Sequence, residues 1–113
     1  MGLVASTNWA RQLRLQRLAS RGLGYVVAAR DAGVALGLAI LTQPDLSMID
    51  ASLDVGNGSD LATVPPFYAP RTKTLLLTDD HNLAGKMQLV EIEVTSRRFS
   101  DQALLSWIPD AAT

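Results

Sequence analysis

Along this chain the spacing of apolar and polar positions switches repeatedly between a strand-like and a helix-like period, and the switches mark out short elements. "GLVAS" (2–6) is an apolar strand ending in hydroxyls. Asn8 can cap a helix from Trp9 to about Ser20, because its side chain accepts from an otherwise unpaired amide of the first turn. "RGLG" stops that helix with glycines. "YVVAA" (25–29) is a second strand, Asp31 caps a helix through "AGVALGLAILTQ", Pro44 ends it, and "DLSMID" is the third strand. "VGNG" then makes a turn, since glycine and asparagine tolerate positive φ. A poor helix from about Ser59 breaks at "VPP", where prolines remove donors and clash with the preceding turn. "TKTLLLT" (72–78) is the fourth strand, "DDHNLAGKMQLVE" allows a short helix, "IEVTS" is the fifth strand, and "SDQALLSWI" is a last helix capped by Ser100 or Asp101.

Strands alternating with helices in this way predict an α/β fold, a parallel sheet covered on both faces. The strands are nearly continuous apolar runs, as doubly covered strands should be. Ligands of such sheets sit beyond the carboxyl ends of the strands, and Ser6, Thr7, Asp50, Thr78 and the Ser96–Arg97 pair all fall there. Neither a repeat nor a linker divides the chain, so residues 1–113 read as one domain.

Composition changes the picture mostly by exclusion. A chain that is 48% hydrophobic and 19% charged is globular rather than disordered. The net charge of −1 gives no global pull toward nucleic acid or acidic lipid. The absence of cysteine removes disulfides, thiolate nucleophiles and zinc–thiolate sites, and the single histidine, His81, removes a multi-histidine metal site within one chain. The apolar run "AGVALGLAIL" (32–41) is about half the ~20 residues of a membrane span, and no secretory signal opens the chain. "MGLVAS" formally fits a myristoylation pattern, but Leu3, Val4 and Ala5 read better as a buried strand. The expectation is a cytoplasmic protein with no membrane partner.

Three stretches, "QPDLSMIDASLDVGNGSDL", "TKTLLLTDD" and "SRRFSDQALLSWI", taken in order and spacing, resemble the receiver domain of bacterial response regulators, especially those joined to a LuxR-type helix-turn-helix domain. The likeness covers almost the whole chain and implies a flavodoxin-like three-layer sandwich with a five-stranded parallel sheet. It implies that Asp50 holds the phosphoacceptor position and that Thr78 and Arg97 neighbour the phosphosite, Arg97 standing where the family has a lysine. The switch aromatic falls on Val94. The acidic pair that holds the metal falls on Ser6 and Thr7.

That last departure carries the functional expectation. Magnesium prefers hard oxygen ligands and is held in proteins through carboxylates, whereas two hydroxyls contribute no charge. The metal also neutralises charge as a phosphoryl group approaches a carboxylate, so its loss slows transfer by orders of magnitude. Asp54, Asp79 and Asp80 lie in loops on the same rim and are the alternatives for lending a carboxylate. Arg97, a planar fork in place of a compact ammonium, could pair with Asp50 directly.

The plainer meanings stand beside these. Asp50 could be an inherited strand-end residue, Thr78 could cap the next turn, and Gly56 and Gly58 read as turn formers because no Walker-type lysine and hydroxyl follow. His81 reads as a solvated loop residue. Ser6 and Thr7 lack a histidine placed by sequence to activate them, so a hydrolase is disfavoured and the expectation is no enzyme. Arg11, Arg14, Arg17 and Arg21 share one side of the first helix, read as a solvated face or, second, as a dock for an acidic partner. Gly33, Val34 and Gly37 leave the second helix apolar on its outer face, which suggests a contact surface, and Trp107 is an anchor candidate on the last helix.

The resulting expectation is an atypical pseudo-receiver without cofactor, forming a homodimer and controlling a DNA-binding output domain outside these residues, largely independent of phosphorylation. Histidine kinases or other signalling proteins are the further partners expected, and DNA is touched only through the output domain. The alternatives are a working magnesium-dependent phosphoacceptor of a two-component phosphorelay and a stand-alone signalling adaptor.

Overall fold

The structure, a computed structural model, describes residues 1–53, 58–62, 72–89 and 92–108. Its strands are β1 (Gly2–Ala5), β2 (Val26–Ala29), β3 (Leu46–Asp50), β4 (Lys73–Leu77) and β5 (Glu93–Thr95). They form one five-stranded sheet in the order β2-β1-β3-β4-β5, with every neighbouring pair parallel. The helices are α1 (Trp9–Leu23), α2 (Ala32–Thr42), α3 (Gly58–Ala62), α4 (His81–Leu89) and α5 (Asp101–Leu105). This is the α/β three-layer arrangement expected from the alternation of elements.

Period-two alternation splits the sheet's apolar residues between two cores. Val4, Leu46, Met48, Leu75 and Leu77 pack with Leu15, Leu18 and Ala19 of α1 and with Phe99, Leu104 and Ile108 near the chain's end. Leu3, Ala5, Ile49 and Leu76 face the other way, against Ala35 and Ala39 of α2 and Leu61 and Ala62 of α3. The chain reverses its winding between β1 and β3, which opens a crevice at their carboxyl ends.

The caps are as the residues predict. The side chains of Asn8, Asp31 and Ser100 accept from the amides of Arg11, Val34 and Ala103. Two ends differ. The first helix runs through Gly22 to Leu23 and is stopped by Gly24, whose φ of 71° suits a residue without Cβ. The last helix covers only Asp101–Leu105, with Leu104 and, beyond the helix, Ile108 buried in the core while Leu105 and Trp107 are half-buried. Trp107 is half-buried beneath the Lys73 ammonium, 4.6 Å from its ring, so the expected anchor lies under a charged lid. The "VGNG" turn apart from Gly58, and the "VPP" break, lie outside the described residues.

Candidate functional site

Asp50 closes β3, and the crevice beside β1 leaves its side chain 1% exposed. An ionised carboxylate offers about four acceptor positions, and the structure presents one donor to each. Oδ2 accepts from the Ser6 hydroxyl at 3.2 Å and from Arg11 Nη1 at 2.5 Å. Oδ1 accepts from Arg97 Nε at 2.9 Å and from the Ser52 amide at 3.2 Å. Arg97 Nη2 also donates to the Ser52 hydroxyl at 2.7 Å. One buried negative charge is thus held between two guanidinium ions, themselves 23% and 27% exposed.

Local structure explains how each arginine arrives. The Asn8 cap starts α1 right after β1, and Asn8 N donates to Ser6 Oγ, so the first turn of α1 projects Arg11 back over the strand end. One turn on, Arg14 bonds Asp101 Oδ1 and the Phe99 carbonyl and lies 4.3 Å over the Phe99 ring. That staple ties residues 99–101 to α1. The preceding turn is fixed by Asp79, whose Oδ1 accepts from the Ser96 hydroxyl at 2.6 Å and the Arg97 amide at 3.2 Å. The Ser96 hydroxyl holds the Asp79 carboxyl below its ordinary range against the opposing effect of desolvation, helped by the Arg97 N–H and the charges of Arg97 and Arg98.

The remaining residues of the predicted site bond to other partners than Asp50. Thr78 is buried at the end of β4, but its hydroxyl accepts from the Asp80 amide, the turn-capping role considered for it. Thr7 contributes its carbonyl to Arg30 Nη2 at 3.5 Å. Val94 is half-buried in β5 and borders a groove of about 510 Å³ that α4 lines with His81, Ala84 and Gln88. His81 is exposed at the first position of α4 rather than in a loop. Asp54 lies outside the described residues. Gly58 serves packing: its amide donates to the Ala51 carbonyl, and a Cβ there would stand 2.0 Å from the Asp50 carbonyl oxygen.

Arg11 is the site residue that sequence reasoning missed. Its spacing with Arg14, Arg17 and Arg21 marks a common side of α1, and Arg17 and Arg21 are indeed exposed there. The signal for the difference was position, because Arg11 sits in the first turn of a helix that begins at the strand ends.

A divalent cation does not fit this donor set. Ser6 and Thr7 supply no negative charge, Asp79 is turned toward Ser96, and the guanidinium groups occupy acceptor positions of Asp50 that a metal would need. Among the described residues no group of three or more acidic, histidine or cysteine side chains converges to hold a metal.

No family model matches this chain, and no curated protein does. Solved structures do. The signal receiver domain of an HD domain-containing protein from Pseudomonas fluorescens Pf-5 is 32% identical, with a TM-score of 0.78 over 94% of this chain and 81% of that one. This chain belongs to the receiver domain family. A CheY-like response regulator receiver domain protein from Methanospirillum hungatei JF-1 is 16% identical, with a TM-score of 0.80 over 94% of this chain and 87% of that one. A DNA-binding response regulator of the LuxR family from Staphylococcus aureus is 13% identical, with a TM-score of 0.75 over 93% and 92% of the two chains. These last two show the shared fold, the flavodoxin-like one of receivers. Within this receiver no helix of the described residues is long and apolar enough to cross a membrane.

Proposed function

We propose that this receiver works as a pseudo-receiver, a protein-contact module whose output does not depend on magnesium-assisted phosphorylation of Asp50. The observation that carries the reading is the saturation of the Asp50 carboxylate by Arg11, Arg97, Ser6 and the Ser52 amide. A nucleophilic oxygen must offer a lone pair to the incoming phosphorus, and here each is directed at a donor. The double ion pair instead ties α1, β3 and the β5–α5 loop in one fixed arrangement. The domain then acts by association, as a homodimer in the cytoplasm, without turnover of its own, and controls an output domain outside these residues. The stretches resembling LuxR-type regulators favour a DNA-binding output. The 32% identical relative is the receiver of an HD domain-containing protein, which makes an HD output the second reading. A histidine kinase would be a partner only if Asp50 were phosphorylated.

The test is an NMR titration of the labelled domain with magnesium and then with beryllofluoride, which stands in for an aspartyl-phosphate. The amides of Asp50, Thr78 and Arg97 should stay in place at about millimolar metal, a concentration that would populate a weak carboxylate site. Saturable shifts that spread from Asp50 to β5 and α5 would overturn the reading in favour of a working phosphoacceptor.

A further inference from the structure

Helix α2 is apolar on all sides, a pattern proper to helices that are covered all round. Its inner face is built of small residues, with Ala35 and Ala39 buried against the sheet. Leu36 and Leu38 are half-buried against the core at its flanks, while three large apolar residues point outward, Val34 at 50%, Ile40 at 59% and Leu41 at 82% exposure. At about 100° per residue, Ile40, Gly33, Gly37, Leu41 and Val34 fall in that order on one continuous outer stripe about 120° wide. Gly37 lies at its centre. A Cβ there would meet nothing within 4 Å, and one at Gly33 would meet only Asp31 Oδ1 at 3.4 Å, so packing within the domain does not require either glycine.

We propose that this face of α2 is the surface on which a second copy of the chain docks, antiparallel about a two-fold axis passing over Gly37. The face is complementary to itself in that register. Gly37 meets Gly37 on the axis, Leu41 of one copy packs against Val34 of the other, and Ile40 enters the notch left by Gly33, each of these off-axis contacts occurring twice as an isologous pair must. Without side chains at the crossing, the helices can approach closer than the usual 8–10 Å between axes. Charge supports the second copy as occupant. Between Ala32 and Thr42 the helix carries none, so the two-fold opposes no like charges. The same register brings Arg30, before α2, toward Asp45, after α2, of the other copy, with both residues at the surface and Asp45 already paired with the Met1 ammonium at 2.7 Å. Asp31 shares the Arg30 end, but its carboxylate is engaged by the Val34 amide.

The size of the contact sets its strength. A helix of 11 residues is about 16 Å long and cannot supply the roughly 800 Å² per partner of a standard interface. The dimer is therefore a weak one, formed at high local concentration. The inference rests on the preceding reading only in taking protein contact as the output, and the metal titration judges that reading separately.

Sedimentation equilibrium on the full chain, from about 10 μM to about 1 mM, should show monomer passing toward dimer. Leu41→Glu should abolish the association. Gly37→Leu decides the matter, because it makes the face more apolar while filling the close crossing point. It should weaken dimerisation at least about tenfold, equivalent to about 1.4 kcal/mol, and raise the melting temperature, since leucine is the better helix former. A wild-type chain that stays monomeric at about 1 mM, well above the micromolar range of specific complexes, would overturn the proposal and leave the face to another protein. Dimerisation that persists in Leu41→Glu, or that is unchanged or tighter in a folded Gly37→Leu, would also overturn it, by placing the contact elsewhere or reducing it to general stickiness.

Discussion

Replacing Asp50 by asparagine keeps the shape of the side chain and removes its charge, which isolates what the two guanidinium groups contribute. Each guanidinium keeps its own charge but loses an ionised acceptor, and because asparagine has one oxygen only one arginine regains an acceptor while the other loses a charge-assisted bond of about 1.5–3 kcal/mol. An amide also turns one acceptor into a donor that faces other donors, while the partial exposure of both arginines returns some hydration. The net expectation is a destabilisation of about 2–4 kcal/mol, within the range for breaking a buried pair. For a domain of this length that lowers the melting temperature by about 8–16 °C. Urea denaturation should show a lower midpoint with an unchanged slope. A double-mutant cycle with Arg11→Met should return a coupling of about 1 kcal/mol or more, because the residues touch. The sign is the discriminating feature. If Asp50 were an unpaired carboxylate awaiting a cation, neutralising it would leave stability unchanged or raise it. A change within about 0.5 kcal/mol, the scatter of ordinary surface substitutions, would refute the double ion pair.

Two further outcomes follow from the same geometry. Gly58→Ala should destabilise by about 1–3 kcal/mol, the usual range for overpacking, because its Cβ would collide with the Asp50 carbonyl; a neutral effect in thermal melts would show that the contact opens readily in solution. Asp79 should titrate by carboxyl NMR below its ordinary value of 3.8, and Ser96→Ala should move the midpoint back up. With the folded value depressed, its stabilising contribution is present above the unfolded value and is lost as pH falls through the folded one, so an unshifted midpoint would remove the Asp79–Ser96 contact from solution.

Much of this receiver is dictated locally. The caps at Asn8, Asp31 and Ser100 follow from short side chains placed ahead of apolar runs, and the strands follow from uninterrupted apolar segments bounded by turn residues. Because every strand is followed by a helix, parallel pairing and a rim of strand ends were legible too, and with them the place of Asp50 and the reach of Arg97 toward it. Three things were decided only by the tertiary structure. Arg11 and Asp50 are 39 positions apart, and which arginine of an evenly spaced set meets a carboxylate depends on how the helix lies against the sheet. Which apolar residues at the chain's end enter the core was decided by packing: Leu104 of the last helix and Ile108 beyond it are buried, while Leu105 and Trp107 stay half-buried. The outer face of α2 was legible at Gly33, Val34 and Gly37, but its extension to Ile40 and Leu41 was not, because helical periodicity in an all-apolar segment cannot say how wide a stripe the sheet covers. Packing small alanines inward settled it, since the helix lies close to β1 and β2 and leaves Val34, Ile40 and Leu41 outside.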